Sequence, residues 1–151
     1  MFSLLAAGGA HTCGLQAGSA WCWGSNGRGE SGTGLPDSVL GMPGVVSGGL
    51  SFTALTAGGD FTCGLTDDSL AYCWGANDRG QVGDGTQTDR PGPTAVAGGF
   101  HFAEIAAGAR HVCGVTAAGV IYCWGDGTSG QLGLAVVPPL KASPTRIPFP
   151  P

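Results

Sequence analysis

The chain has 151 residues, 30 of them glycine, with 42% hydrophobic and only 11% charged side chains, a length suited to one ordinary domain. Six Lys and Arg against ten Asp and Glu give a net charge of −4, and no basic run is present to neutralise phosphates, which argues against nucleic acid as a partner. No apolar stretch reaches the ~20 residues of a membrane-spanning helix, so no membrane span is expected.

Glycine-rich, charge-poor sequences also make flexible linkers. Here, however, the glycines separate short β-branched and aromatic segments, a pattern that predicts many tight turns in an all-β fold. Residues 1–8 begin with a short apolar run that lacks the basic flank of a secretory signal. The run returns at residues 52–58 and 102–108, so it reads as a repeated strand, and the signal of an exported protein is expected upstream of it. Residues 11–24 then read as a β-hairpin, with copies at 61–75 and 111–125.

Pairing inside these hairpins can be laid out residue by residue. Placing Cys113 opposite Cys123 sets Val115 opposite Ile121 and Thr116 opposite Val120. That leaves Ala117-Ala118-Gly119 as a three-residue loop, with Gly119 at the left-handed position. The same pairing of Cys63 with Cys73 leaves Asp67-Asp68-Ser69, where Ser69 predicts either strain or another turn. Pairing Cys13 with Cys22 leaves two residues, Ala17-Gly18, which is not a favoured Asn-Gly turn.

After each hairpin comes a compact turn, at residues 27–32, 78–83 and 128–133. A variable polar connection follows, at 33–41, 84–92 and 134–143. Each unit is expected to close with a short strand that begins at Pro43, Pro93 or Pro144, a position where proline leaves the ladder intact. Phe2, Phe52 and Phe102 recur every 50 residues, as do Cys13, Cys63 and Cys113. Such a period matches a blade of four short strands and divides the chain into repeats of approximately 1–50, 51–100 and 101–151. Residues 148–151 leave the pattern and are expected to fray.

Six cysteines fall into three pairs: Cys13 with Cys22, Cys63 with Cys73, and Cys113 with Cys123. The Cys-x-x-Cys knuckles of zinc sites are missing. Cross-strand placement favours disulfides, each closing a short loop worth about 2.5–3 kcal/mol; buried free thiols are the alternative. Disulfides imply an oxidising compartment.

Other motifs are better explained by structure than by chemistry. His11 and His111 share a strand face with the cysteine two residues on, but Phe61 takes that position in the middle repeat. A hydrogen-bonded strand histidine is therefore expected rather than a metal ligand, and His101 is expected near a strand start. Gly27-Arg28-Gly29-Glu30-Ser31-Gly32 matches Gly-x-Gly-x-x-Gly, yet no helix period follows it, so turn chemistry is favoured over dinucleotide binding. Trp21, Tyr72 and Tyr122 alternate with Trp23, Trp74 and Trp124. Packing between blades is favoured for these rings over a sugar-stacking platform. Asp37, Asp67, Asp68, Asp84 and Glu104 are scattered over unlike segments and do not converge as calcium or acid–base sites require. No catalytic residue, cofactor or metal site is expected.

Gly108-Ala109-Arg110-His111, then Tyr122-Cys123-Trp124-Gly125, then Gly130-Gln131-Leu132-Gly133 stand in order. The middle copy runs from Tyr72-Cys73-Trp74-Gly75 to Gly80-Gln81-Val82-Gly83. These motifs resemble the regulator of chromosome condensation repeat family, and the cysteine pairs resemble those of its exported bacterial members. Departures are Phe61 for the family histidine, Glu30-Ser31 for Gln-Leu, and Gly127 where Asn26 and Asn77 stand. The resemblance implies a β-propeller of four-stranded antiparallel blades, about three of a normally seven-bladed ring. Three blades cannot close, so the end blades would expose apolar faces and unpaired edges through which the chain could self-associate.

Functions within that family range from guanine-nucleotide exchange on a small GTPase to plain protein interaction, and fold does not carry function. The expectation drawn from the residues is a non-enzymatic protein-interaction scaffold. It would be part of a larger exported protein, extracellular or at the cell surface, with its contacts in the variable connections. A GTPase exchange factor and a carbohydrate-binding module attached to an enzyme are the alternatives.

Overall fold

A computed structural model describes residues 1–35 and 38–149 of the chain. Within them lie twelve strands and no helix. The first sheet holds β1 (Leu4–Ala7), β2 (His11–Gln16), β3 (Ser19–Ser25) and β4 (Val39–Val45). The second holds β5 (Phe52–Ala57), β6 (Phe61–Thr66), β7 (Ala71–Gly75) and β8 (Arg90–Ala95). The third holds β9 (Phe102–Ala107), β10 (His111–Thr116), β11 (Ile121–Asp126) and β12 (Leu140–Arg146). Every sheet is an antiparallel meander with its strands in chain order. Three such blades are consistent with part of a propeller.

The hairpins adopt the pairing that the cysteines dictate. Cys13 faces Cys22, Cys63 faces Cys73 and Cys113 faces Cys123, and all three pairs are disulfides. Around Gly119, at φ 77°, the third hairpin turns as expected, with the Thr116 N–H donating to Val120 O at 2.9 Å. Ser69 takes the same left-handed position at φ 66°, a conformation that glycine adopts without penalty and serine does not. The Thr66 hydroxyl braces that loop by bonding the Asp68 carboxylate and the Leu70 carbonyl. Ala17 and Gly18 both have positive φ, 49° and 80°, the signature of a two-residue type I′ turn.

The outer strands differ from expectation. They begin at Val39, Arg90 and Leu140, ahead of the prolines, so the connections are shorter than the sequence implied. Pro43, Pro93 and Pro144 stand inside the strands rather than at their starts. The reason is a bulge: β4 advances four residues, from Leu40 to Gly44, while β3 advances two. β8 and β12 do the same opposite β7 and β11. Each proline falls in the bulged stretch of an edge strand, where its missing N–H costs no ladder bond. Asp37 and residues 150–151 lie outside the described residues.

Two apolar cores fill the spaces between blades. Cys13, Leu15, Ala20, Cys22 and Val46 of the first blade meet Phe52, Leu55 and Trp74 of the second. Cys63, Leu65, Ala71 and Val96 of the second meet Phe102, Ile105, Val112 and Trp124 of the third. Each blade thus buries its rear face under the front face of the next.

Candidate interaction surfaces and blade junctions

At the first junction His11, wholly enclosed, sends Nε2 to the Thr62 hydroxyl at 2.8 Å. Thr62 in turn donates to the Glu30 carbonyl at 3.0 Å. Burial holds the imidazole below its usual pKa, against the pull of the Glu30 and Asp60 charges. Its Nδ1 has no hydrogen-bond partner, so a second ring proton would be buried without an acceptor. At the second junction the same two positions carry Phe61 and Val112, both fully buried. The polar pair and the apolar pair are alternative solutions to one packing position.

Aromatic rings complete the junctions. Trp74 and Trp124 have 0% exposure, lie tilted beside Phe52 and Phe102 with ring centroids 5.7 and 5.8 Å apart, and press against Gly32 and Gly83 of the preceding blade. Trp124 Nε1 donates to Gln81 O at 3.0 Å. These rings pack between blades, as expected, and offer no face to a sugar. On the inner rim, the Gly9 N–H donates to Gly59 O at 3.0 Å and the Gly59 N–H donates to Ala109 O at 2.9 Å.

The Gly-x-Gly-x-x-Gly segment is a turn. Asn26 Oδ1 accepts from the Ser31 N–H, and its counterpart Asn77 Oδ1 accepts from the Val82 N–H. Arg28 reaches across the junction to Asp89 at 2.8 Å and Asp78 at 3.0 Å. Its hydrogen bond to Asp89 holds the guanidinium above its usual pKa. His101 stands immediately before β9, with its ring on the Asp68 carbonyl at 2.7 Å. Asp67 and Asp68 are exposed at the hairpin tip, and Glu104 is exposed on β9. No cluster of three metal-ligating side chains occurs among the described residues.

The connections between third and fourth strands leave every blade on the same rim, because strand order is the same in each. Their chemistry differs. In the second blade Asn77 Nδ2 bonds the carbonyls of Thr86 and Thr88, and Asp84 accepts from Thr86 and Arg90. Burial would raise the Asp84 carboxyl, but the bonds from Thr86 and Arg90 hold it below its ordinary value. This loop is polar and internally tied. The first and third blades instead show exposed apolar side chains: Leu35 in one connection, with Val39 and Met42 beyond it on β4, and Val136 and Val137 in the other connection. The sequence led to the expectation of variable, polar connections; the polar character holds in the second blade, but Leu35, Val136 and Val137 stand exposed in the other two, because exposure cannot be told from the residue type alone.

A family model described as regulator of chromosome condensation (RCC1) repeat matches residues 68–115 and 118–151. A second with the same description matches residues 52–81 and 102–131. Among solved structures, yeast RCC1 (Prp20), seen bound to Kap60, superposes with a TM-score of 0.88 at 24% identity, covering 98% of this chain and 37% of that one. Human WBSCR16 gives 0.85 at 22% identity, covering 98% and 38%. The ectodomain of the Physcomitrella patens receptor kinase CR4 is 32% identical, with a TM-score of 0.52, covering 87% of this chain and 31% of that one. The chain therefore spans little more than a third of the length of the first two structures.

Proposed function

Because this chain belongs to the regulator of chromosome condensation repeat family, and because its blades carry exposed apolar tips on one rim, we propose that it is a non-enzymatic protein-interaction scaffold within a larger exported protein. The observation that carries the reading is the contrast on that rim. The loop of the second blade is closed by its own hydrogen bonds, whereas Leu35 is 51% exposed in the connection of the first blade and Val136 80% exposed in that of the third. Apolar side chains held out by a rigid framework suit a protein partner's apolar contact points. The oxidising compartment rests on the three disulfides, and the likeness to a receptor kinase ectodomain supports it.

The test is a pair of charge substitutions, Leu35→Asp and Val136→Asp, in pull-downs from extracellular material. Loss of a partner that the unaltered chain retains is expected; a partner set unchanged by both sinks the reading. An exchange factor in a reducing compartment would instead carry six free thiols and hasten nucleotide release from a small GTPase. Thiol titration of the denatured, unreduced chain separates the two, with no free thiol expected here.

A further inference from the structure

The turn after β3 and the turn after β7 each carry an arginine, and the two are held differently. Arg28 spans the first junction. Its Nε and Nη2 donate to the two oxygens of Asp89 at 2.9 and 2.8 Å, and its Nη1 donates to Asp78 at 3.0 Å. The contact with Asp89 is the two-pronged geometry in which a guanidinium fork and a carboxylate match. Arg79 is the same residue one blade on, and the glycine that follows each arginine fixes the correspondence. A methyl group on Gly29 would lie 2.6 Å from the Pro91 Cα and 3.0 Å from the Arg90 carbonyl. On Gly80 it would lie 2.6 Å from the Ala142 Cα and 3.0 Å from the Lys141 carbonyl. Arg90 therefore corresponds to Lys141, and Asp89 to Leu140. Asp78, in the turn of the second blade, corresponds to Thr128 in that of the third. Both carboxylates that hold Arg28 are replaced at the second junction by side chains without charge.

Arg79 is left with weak compensation. Its guanidinium makes no hydrogen bond among the described residues, and its ion contact there is with Asp78 at 3.9 Å. That carboxylate already accepts from Arg28 and from Gln81. Asp126, whose charge Arg79 also meets, is turned to the N–H and hydroxyl of Thr128. The stretch 127–140 contains no acidic residue. Lys141, half-buried, adds a second cation with no ion pair among the described residues. The Arg79 side chain is 39% exposed, although a blade stands on either side of its junction.

We propose that the rim over the second junction docks an acidic side chain, Asp or Glu, of a protein partner, which takes at Arg79 the place that Asp89 takes at Arg28. The inference rests on the interaction-scaffold reading and adds the chemistry of what is bound. The first junction supplies its own carboxylates and offers a partner nothing. The second presents two cations, Arg79 and Lys141, beside a connection without negative charge, so it attracts an acidic surface and fixes its orientation through the guanidinium fork.

The test is selection of a displayed library of random short peptides on the 151-residue chain. The peptides are joined to their carrier through the C-terminus, so that only side chains offer a carboxylate. Enrichment of Asp or Glu is expected, with binding of the enriched peptides weakening between about 0.05 and 0.5 M salt as the charges are screened. Synthesised singly, those peptides should bind Arg79→Gln at least about tenfold more weakly, the loss of one charge-assisted pair. Leu140→Asp sets a carboxylate where Asp89 stands one blade earlier. It should occupy Arg79 from within and weaken the same peptides to a similar degree. Leu140→Asn, of the same shape as aspartate but uncharged, should bind them nearly as the unaltered chain does. Far-ultraviolet circular dichroism and thiol counts check that each variant folds. A selection without acidic enrichment overturns the proposal. So do acidic peptides that bind Arg79→Gln and Leu140→Asp as tightly as the unaltered chain. The scaffold reading fails separately: apolar peptides lost with Leu35→Asp or Val136→Asp but indifferent to Arg79 would keep that reading and sink this one.

Discussion

His11 and Thr62 show how one side chain commits its neighbour. Thr62→Val would strip the buried imidazole of its one partner and the Glu30 carbonyl of a donor, a loss of about 1–3 kcal/mol. His11→Phe with Thr62→Val should recover most of it, and a denaturant-unfolding cycle of the two single variants and the double measures the coupling. The pair also sets a pH dependence. Since burial lowers the folded-state pKa of His11, the unfolded chain takes up a proton first as pH falls below about 6.5. Stability is therefore full above that value, declines below it, and levels off once pH passes the folded pKa. His111 is shifted in the same direction by burial and adds to the decline. Unfolding midpoints between about pH 7.5 and 5 should fall with acid, and fall less in the His11→Phe, Thr62→Val double variant. Turn residues make a second case. Ser69→Gly relieves a left-handed serine and should stabilise by about 0.5–1 kcal/mol. Ala17→Asn creates the Asn-Gly sequence that a type I′ turn prefers and should raise the thermal midpoint.

At the scale of the element, what was legible in the sequence was what lies close along the chain. The cysteines of a pair are nine or ten positions apart, so hairpin register, turn length and bridge all follow from local pairing. The bulges of β4, β8 and β12 were not legible. A proline marks a place where a ladder bond is missing, but it does not tell a strand start from an interruption. Nor were the junction pairs, whose partners stand about fifty residues apart and meet only when blades stack. One signal was present: across the three repeats, His then Thr and Phe then Val change together. The closeness of Gly83 to Trp124 gives a test at this scale. A methyl group there would lie 2.6 Å from the indole nitrogen at a positive φ, so Gly83→Ala should destabilise the second junction by about 2 kcal/mol or more, read as a lower unfolding midpoint and a red-shifted Trp124.

For the whole molecule, both interior junctions are closed by packed apolar side chains. The fold was legible because three registered copies of a fifty-residue unit mark out blade-sized modules, and the motifs within them resemble a family of propellers. The exposed apolar side chains of the connections were not, since exposure is a property of the assembled rim. Reducing all three disulfides should lower stability in steps of about 2–3 kcal/mol per bridge, measured by unfolding with and without reductant.

Each sulfur bridge begins and ends within a single hairpin. Oxidation can therefore finish module by module while the polypeptide is still being made or threaded, with no need to wait for distant segments. Adding or losing a whole unit of this kind leaves every remaining thiol with its mate, so the length of the array can change over generations without orphaned cysteines.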